Sequence, residues 1–213
     1  MTPDRPRAPR RRSRRARWRA AELVALDFET TGLDLDRDEV ISFGLVPIRE
    51  GRVDLSGQVY EEVAPGVDPS HSSIRIHHLR AQDLATAPAM REVTDALRHA
   101  LDGRFILAWA AGVEIAFLRK VFGGGRRAWR RRTIDVRTLI MAVERPQNEG
   151  SPGGPGYYAL TAAATRFGVP IEQAHHALDD AFMTAELFLV AANALEARGS
   201  GSIRHLLRIT ARG

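Results

Sequence analysis

Three places in the sequence carry residues that could do chemistry. The first is Asp27-Phe28-Glu29. Side chains alternate faces along an extended chain, so in a strand Asp27 and Glu29 point the same way. Two carboxylates held side by side raise one another's pKa unless a cation lies between them. A hard divalent ion with oxygen ligands, Mg²⁺ or Mn²⁺, is the natural partner. An isolated D-x-E is more often a solvent-facing acidic pair, but here Thr30-Thr31-Gly32-Leu33-Asp34 follows it. The second is His175-His176-Ala177-Leu178-Asp179-Asp180, with His175 ahead of a helix and Asp180 in its first turn. A histidine of ordinary pKa near 6.5 can take a proton from an attacking water. Acids in a first helical turn also favour the helix dipole, which accounts for Asp179 and, from this segment alone, for Asp180. The third is Glu114, the only acid in the run 106–120, where dipole compensation is again the simpler account.

The elements that must position these residues follow from hydrophobic periodicity. Residues 22–28 read as a short buried strand, 30–38 as a turn, and 40–48 as a second strand. Glu50-Gly51-Arg52 forms a hairpin turn into a third strand over 53–63. The period then changes: a helix over 89–101, a strand over 105–109, and a helix over 113–122 ended by Gly123-Gly124-Gly125. A brief strand at 133–136 and a helix at 137–143 precede a Gly/Pro-rich loop over 146–156. Helices over 159–167 and 177–197 complete the body, and a short tail beyond Gly199-Ser200-Gly201 could be helical. A meander followed by alternating strands and helices predicts an α/β domain with a mixed sheet.

Taken together, these segments resemble the DEDDh 3′–5′ exonucleases, the DnaQ-like family that includes the epsilon proofreading subunit of bacterial DNA polymerase III. The run 24–34 (VALDFETTGLD) is similar to the family's first motif, and 175–181 (HHALDDA) to its third, with His175 and Asp180 at the H-x-x-x-x-D spacing. The sister group with tyrosine would place Tyr where His176 stands. Ile76-His77-His78-Leu79, Ile134-Asp135 and 160–170 are further similarities, so the resemblance runs from about Glu22 to Leu189. The second motif departs from the pattern. Phe117-Leu118 sets the register so that Glu114 occupies the family's aspartate position, and Trp109-Ala110 replaces its His-Asn pair. Glutamate keeps the charge and adds one methylene of reach.

The resemblance implies a ribonuclease-H-like fold with a mixed five-stranded sheet flanked by helices. It implies two Mg²⁺ or Mn²⁺ ions held by Asp27, Glu29, Glu114 and Asp180, with His175 as general base. It also places groups around Thr30 and Thr31 against the terminal nucleotide. The expected reaction is 3′–5′ hydrolysis of terminal phosphodiesters, DNA favoured over RNA, releasing nucleoside 5′-monophosphates. The substrate is single-stranded or 3′-ended nucleic acid, and a polymerase or repair protein is the expected partner in trans. The alternatives are a catalytically degenerate nucleic-acid-binding module and an accessory subunit whose Phe182, Leu187, Phe188 and Leu189 meet a partner. At helical spacing those four are more simply core.

Composition bounds the rest. The chain has 213 residues, 44% of them hydrophobic, which suits one domain with tails. It has no cysteine, so disulfides, thiolate metal sites and cysteine nucleophiles are excluded. No apolar run approaches the roughly 18 residues of a membrane span, and no secretory h-region follows the basic N-terminus. A cytoplasmic protein is expected. Residues 1–20 hold nine arginines and one acid, for +8, against −3 in the remainder. This reads as a basic disordered tail (1–20) before the nuclease domain (21–198) and a C-terminal extension (199–213). A second basic run, 126–132, has five arginines around Trp129. Arg126 and Arg127 could track phosphates while Trp129 stacks on a base, or the indole could anchor the next strand.

Overall fold

The sheet is organised around β1 (Leu23–Thr30), seven of whose eight residues are buried. A strand covered on both faces carries apolar residues on both, hence the run Leu23–Leu26 and then Phe28, with Asp27 and Glu29 as the acidic exceptions. Leu23 and Ala25 point into one core and Val24, Leu26 and Phe28 into the other. The computed structural model describes residues 4–144, 154 and 156–211. Apart from Gly154 and Gly156, the loop expected over 146–156 lies outside the described residues.

β2 (Val40–Arg49) runs antiparallel to β1, from the Leu23–Ile48 pair to the Thr30–Val40 pair, with a bulge between Glu29 and Thr30. β3 (Arg52–Val53) and β4 (Val59–Glu62) both pair antiparallel with β2. α1 (His71–His77) and α2 (Met90–Leu101) follow, then β5 (Phe105–Ala108), parallel to β1. α3 (Gly112–Phe122) and α4 (Arg126–Arg130) lead into β6 (Thr133–Asp135), parallel to β5. α5 (Val136–Glu144), α6 (Leu160–Phe167), α7 (Ala177–Ala197) and α8 (Ile203–Thr210) complete the chain. The strand order is β3-β2-β1-β5-β6, with β4 also on β2, so the mixed sheet has six strands and not the expected five. The single strand expected over 53–63 is broken because Asp54 accepts hydrogen bonds from the backbone N–H and hydroxyl of Ser56, closing a 3₁₀ turn at Leu55–Gly57.

Helices cover both faces. α5 to α8 share one core with Leu23 and Ala25, while α2, α3 and Trp129 share the other with Val24 and Leu26. On α7, Leu187 and Phe188 are fully buried, and Phe182 and Leu189 pack on the same core. These four side chains therefore build the domain and do not form a partner surface. Among the described residues, no helix is long and apolar enough to cross a membrane.

The arginine-rich N-terminus corrects a second expectation. Far from trailing as a disordered tail, its described part packs along the body. Trp18 is 0% exposed, sits edge-on to Phe188 at 5.7 Å, and donates its indole N–H to Glu196 at 3.1 Å. Glu196 also accepts from Arg17 (2.5 Å) and Arg19 (3.2 Å), and Arg7 pairs with Asp102 at 2.6 Å. One large aromatic supplies burial that the charge count hides, and acids of the body neutralise the arginines around it. The C-terminal extension is equally attached. Ser202 caps α8, Ile203 and Leu206 are buried, and the backbone of Ala16 to Trp18 bonds to that of Gly201 to Ile203.

Candidate active site

Alternation along β1 puts Asp27 and Glu29 on the same face as Leu23 and Ala25, the face covered by α7. Asp27 pairs with Gly44 across the β1–β2 ladder. At Gly44 a side chain is impossible: a Cβ would overlap the carbonyl of Ala177 and the Cα of Leu178. The first turn of α7 thus rests directly on the backbone of β2, and this delivers Asp180 to the carboxylates of β1. Ligand oxygens of Asp27, Glu29 and Asp180 lie within 4.8 Å of one another. Glu114 enters from the first turn of α3, 4% exposed, with Oε2 lacking any hydrogen-bond partner.

The electrostatics are those of like charges out of water. Burial, then Glu114, Glu29 and Asp180, hold the Asp27 carboxyl well above its ordinary range. Burial first, with the neighbouring carboxylates second, pushes Glu29 up to about 8. Burial also pushes Glu114 to about 8 and Asp180 to about 6. Among the described residues none of the four is in an ion pair. Three buried carboxylates and the half-buried Asp27, with an orphaned oxygen and no ion pair among the described residues, are a donor set that fits hard divalent ions.

His175 stands at the rim. It is exposed, adopts a left-handed conformation (φ 62°), and donates its backbone N–H to Asp180 Oδ1 at 3.2 Å. That hydrogen bond gives the five-residue spacing a physical meaning, because the histidine's own backbone orients the aspartate. His176 turns the other way, its ring 4.4 Å from that of Tyr60. The four carboxylates and His175 line one cleft of about 730 Å³, together with Thr30, Ser73 and His77.

The family model for exonucleases (RNase_T) matches residues 24–188. The chain belongs to that exonuclease family. The domain is that of a DnaQ-like hydrolase acting on phosphodiester bonds, a family of 3′–5′ exonucleases that depends on divalent metal. The chain is 33% identical over 181 residues to a DNA polymerase III epsilon-like protein of Rhodobacter capsulatus, covering 83% of this chain and 24% of that protein. It is 31% identical over 173 residues to the PolC-type DNA polymerase III of Thermotoga petrophila, covering 79% of this chain and 12% of the relative. The chain thus spans a quarter or less of the length of these two relatives. Its fold is the ribonuclease-H-like one of E. coli exonuclease I solved with a dT13 oligonucleotide (TM-score 0.71, 15% identity, 84% of this chain and 42% of that one). Exonuclease X in complex with 5′ overhanging duplex DNA is also similar (TM-score 0.62, 19% identity, 88% and 99% covered).

Two of the expected substrate contacts are corrected by the packing. Thr31 is 0% exposed. Its hydroxyl donates to Asp38 (3.0 Å) and accepts from the N–H of Glu39 (3.0 Å), and its carbonyl accepts from Ser70 and Ser73. It ties the loop after β1 and does not reach the cleft, whereas Thr30 lines it. Trp129 is 3% exposed, packs 6.1 Å from Phe122, and donates its indole N–H to the carbonyl of Gly123 at 2.9 Å. It anchors the loop before β6 and offers no face for stacking. Arg126 and Arg127 are exposed, but on the far side of the first turn of α3 from the carboxylates.

Two residues that shape the site, His77 in the cleft and Gly44 beneath α7, carried no role in the sequence. His77 is buried, lines the cleft, and accepts the N–H of Leu79 at Nδ1 (3.0 Å), so its proton sits on Nε2. Burial pushes its pKa down and keeps it neutral. The run Ile76-His77-His78-Leu79 pointed to it only as a similarity. Gly44 had one available signal, a glycine in the middle of an otherwise apolar strand.

Proposed function

We propose that the protein removes nucleotides one at a time from the 3′ end of DNA, in preference to RNA, releasing nucleoside 5′-monophosphates. The observation that carries this reading is the convergence of Asp27, Glu29 and Asp180 within 4.8 Å, with Glu114 unpartnered beside them. Asp27, Glu29 and Asp180 would hold one Mg²⁺ or Mn²⁺ ion, and Asp27 with Glu114 a second. When bound, such ions supply Lewis-acid polarisation of the phosphate and charge neutralisation for the attacking and leaving oxygens. The chain's own groups do the rest. His175 accepts the proton of the attacking water with its imidazole at the rim, while its backbone N–H holds Asp180. Thr30 borders the place of the terminal nucleotide, and His77, a neutral donor, lines the same cleft. Glu114 lines the same cleft with Oε2 unpartnered and would reach the second ion with its longer side chain.

The DNA preference rests on the DNA-bound neighbours, and the relatives named as a PolC-type polymerase and an epsilon-like protein support a polymerase or repair protein as partner; the cytoplasm is the proposed place of action. The test is degradation of 3′- and 5′-labelled single strands, DNA and RNA in parallel, with Mg²⁺, Mn²⁺ or EDTA. A metal-dependent ladder from the 3′ end, lost in Asp27→Ala, is the expected result. Binding in EDTA without cleavage under any metal would turn the reading to a nucleic-acid-binding module.

A further inference from the structure

A second trough, about 720 Å³, lies on the other side of the first turn of α3. Three stretches remote in sequence build it. Arg126, Arg127, Arg130 and Arg131 come from α4 and its C-cap, Arg204 and Arg208 from α8, and Arg14 from the N-terminal segment. One carboxylate, Asp135, faces these seven guanidiniums. Among the described residues, neither the four arginines around α4 nor the two on α8 form an ion pair, and all six are exposed. Elsewhere on this protein arginines meet acids, as at Asp102, Glu144 and Glu196. Like charges concentrated in one concave surface repel each other and draw anions to it.

The trough is built, not a chance meeting of loose chains. The N-terminal segment and α8 are laced together by the Trp18 N–H to the Gly201 carbonyl (3.0 Å) and the Ile203 N–H to the Ala16 carbonyl (3.1 Å). The Arg14 guanidinium donates to the Arg131 carbonyl at 2.5 Å, joining that segment to the end of α4. Trough and cleft also share a wall. Ala111, Gly112 and Ile115 line the trough, and Val113 and Glu114, from the same turn, line the cleft. At the ridge between them Gly112 is exposed, and a Cβ there would meet nothing within 4 Å.

We infer that this trough holds the phosphodiester backbone of the strand whose 3′ end lies in the carboxylate cleft, the chain crossing the ridge at Gly112. The orientation rests on the nuclease reading above; the binding does not. With Trp129 turned inward there is no stacking platform on the α4 wall, so the contacts are to phosphates and indifferent to sequence.

The test uses the full chain, a 5′-labelled 20-nucleotide single-stranded DNA, and EDTA to prevent hydrolysis. Binding is measured by fluorescence anisotropy across a salt series. Arg204→Ala with Arg208→Ala should weaken binding on the order of tenfold at low salt and flatten the slope of log K against log salt by about 1.4, at about 0.7 per lost contact. Arg204→Lys with Arg208→Lys should keep most of both. Hydrolysis of a dinucleotide, too short to reach the trough, should be unchanged in either variant. Wild-type affinity and slope in the alanine variant would overturn the inference. So would tighter, arginine-dependent binding of anionic lipid vesicles or of polyglutamate than of the oligonucleotide. Arginine-dependent binding by a protein that cleaves nothing would sink the nuclease reading and leave the trough standing. Cleavage untouched in every variant and on long substrates would do the reverse.

Discussion

The carboxylate cleft and the arginine trough are nearly equal in volume and opposite in charge, and a single helical turn divides them. They differ most in their water. The acids are taken out of solvent, so their repulsion appears as raised pKa values and as a cost to folding. The arginines stay in solvent, where salt screens them and they cost the fold little. A site that must do chemistry needs desolvated charge, and one that must only hold a strand does not. The two should therefore answer to different variables, the cleft to pH and metal and the trough to ionic strength.

The sharpest way to break that division is Asp27→Ala. Cleavage should fall on the order of 10³-fold, the scale of losing one transition-state electrostatic contact. The salt dependence of oligonucleotide binding in EDTA should stay at its wild-type slope, and a changed slope would mean that the two regions are not separate. Gly44→Val is next. Its side chain would meet the first turn of α7 and push Asp180 away from β1. About 10²-fold in rate is at risk from a shift of roughly 1 Å, with overpacking of about 1–3 kcal/mol measurable by denaturant titration.

The pH response follows from the shifted acids. Glu29 and Glu114 ionise near 4.5 when unfolded and about 8 when folded, and Asp180 near 3.8 and about 6. Between those values the folded state holds more protons than the unfolded chain, so stability falls as pH rises. Without metal, the thermal midpoint should drop by about 5 °C or more from pH 5 to pH 8. Glu29→Gln should flatten that drop, and Mn²⁺ should raise the midpoint more at pH 8 than at pH 5. A flat metal-free profile in the wild type would contradict the desolvation argument. The smallest effect belongs to Ala110, just ahead of the dividing turn, which holds a left-handed conformation (φ 52°) that alanine adopts at a cost. Ala110→Gly should stabilise the protein by up to about 1 kcal/mol in a denaturant melt, leaving both the pH and the salt responses in place.

What was legible in the sequence is what lies close together along it. Asp27 and Glu29 share one strand face, and His175 and Asp180 share one helix start, so their spacing carried their geometry. Glu114 was found only through the resemblance, Phe117-Leu118 setting it at the family's aspartate position; from its helix alone it read as dipole compensation. What stayed hidden is long-range. The contact of Gly44 with Ala177 depends on how β2 and α7 stack, and the trough gathers arginines from positions 14, 126–131 and 204–208. The N-terminal segment misled for a different reason. Average composition describes an unstructured polycation, but Trp18 with its partner Glu196 outweighs that average. The extra strand was missed because one aspartate side chain, Asp54, competes with the ladder for a backbone N–H.

The backbone contact at Gly44 makes the cleft resemble a vice with one fixed jaw. On the β2–α7 side nothing compressible separates the two elements, so the gauge between Asp27 and Asp180 cannot drift without unseating the helix. On the α3 side Gly112 has open space about it, and that jaw can be re-cut. The departures from the family's second motif at Trp109, Ala110 and Glu114 fall on the adjustable jaw, and Asp27, Glu29, His175 and Asp180, set by the fixed one, match the family's pattern.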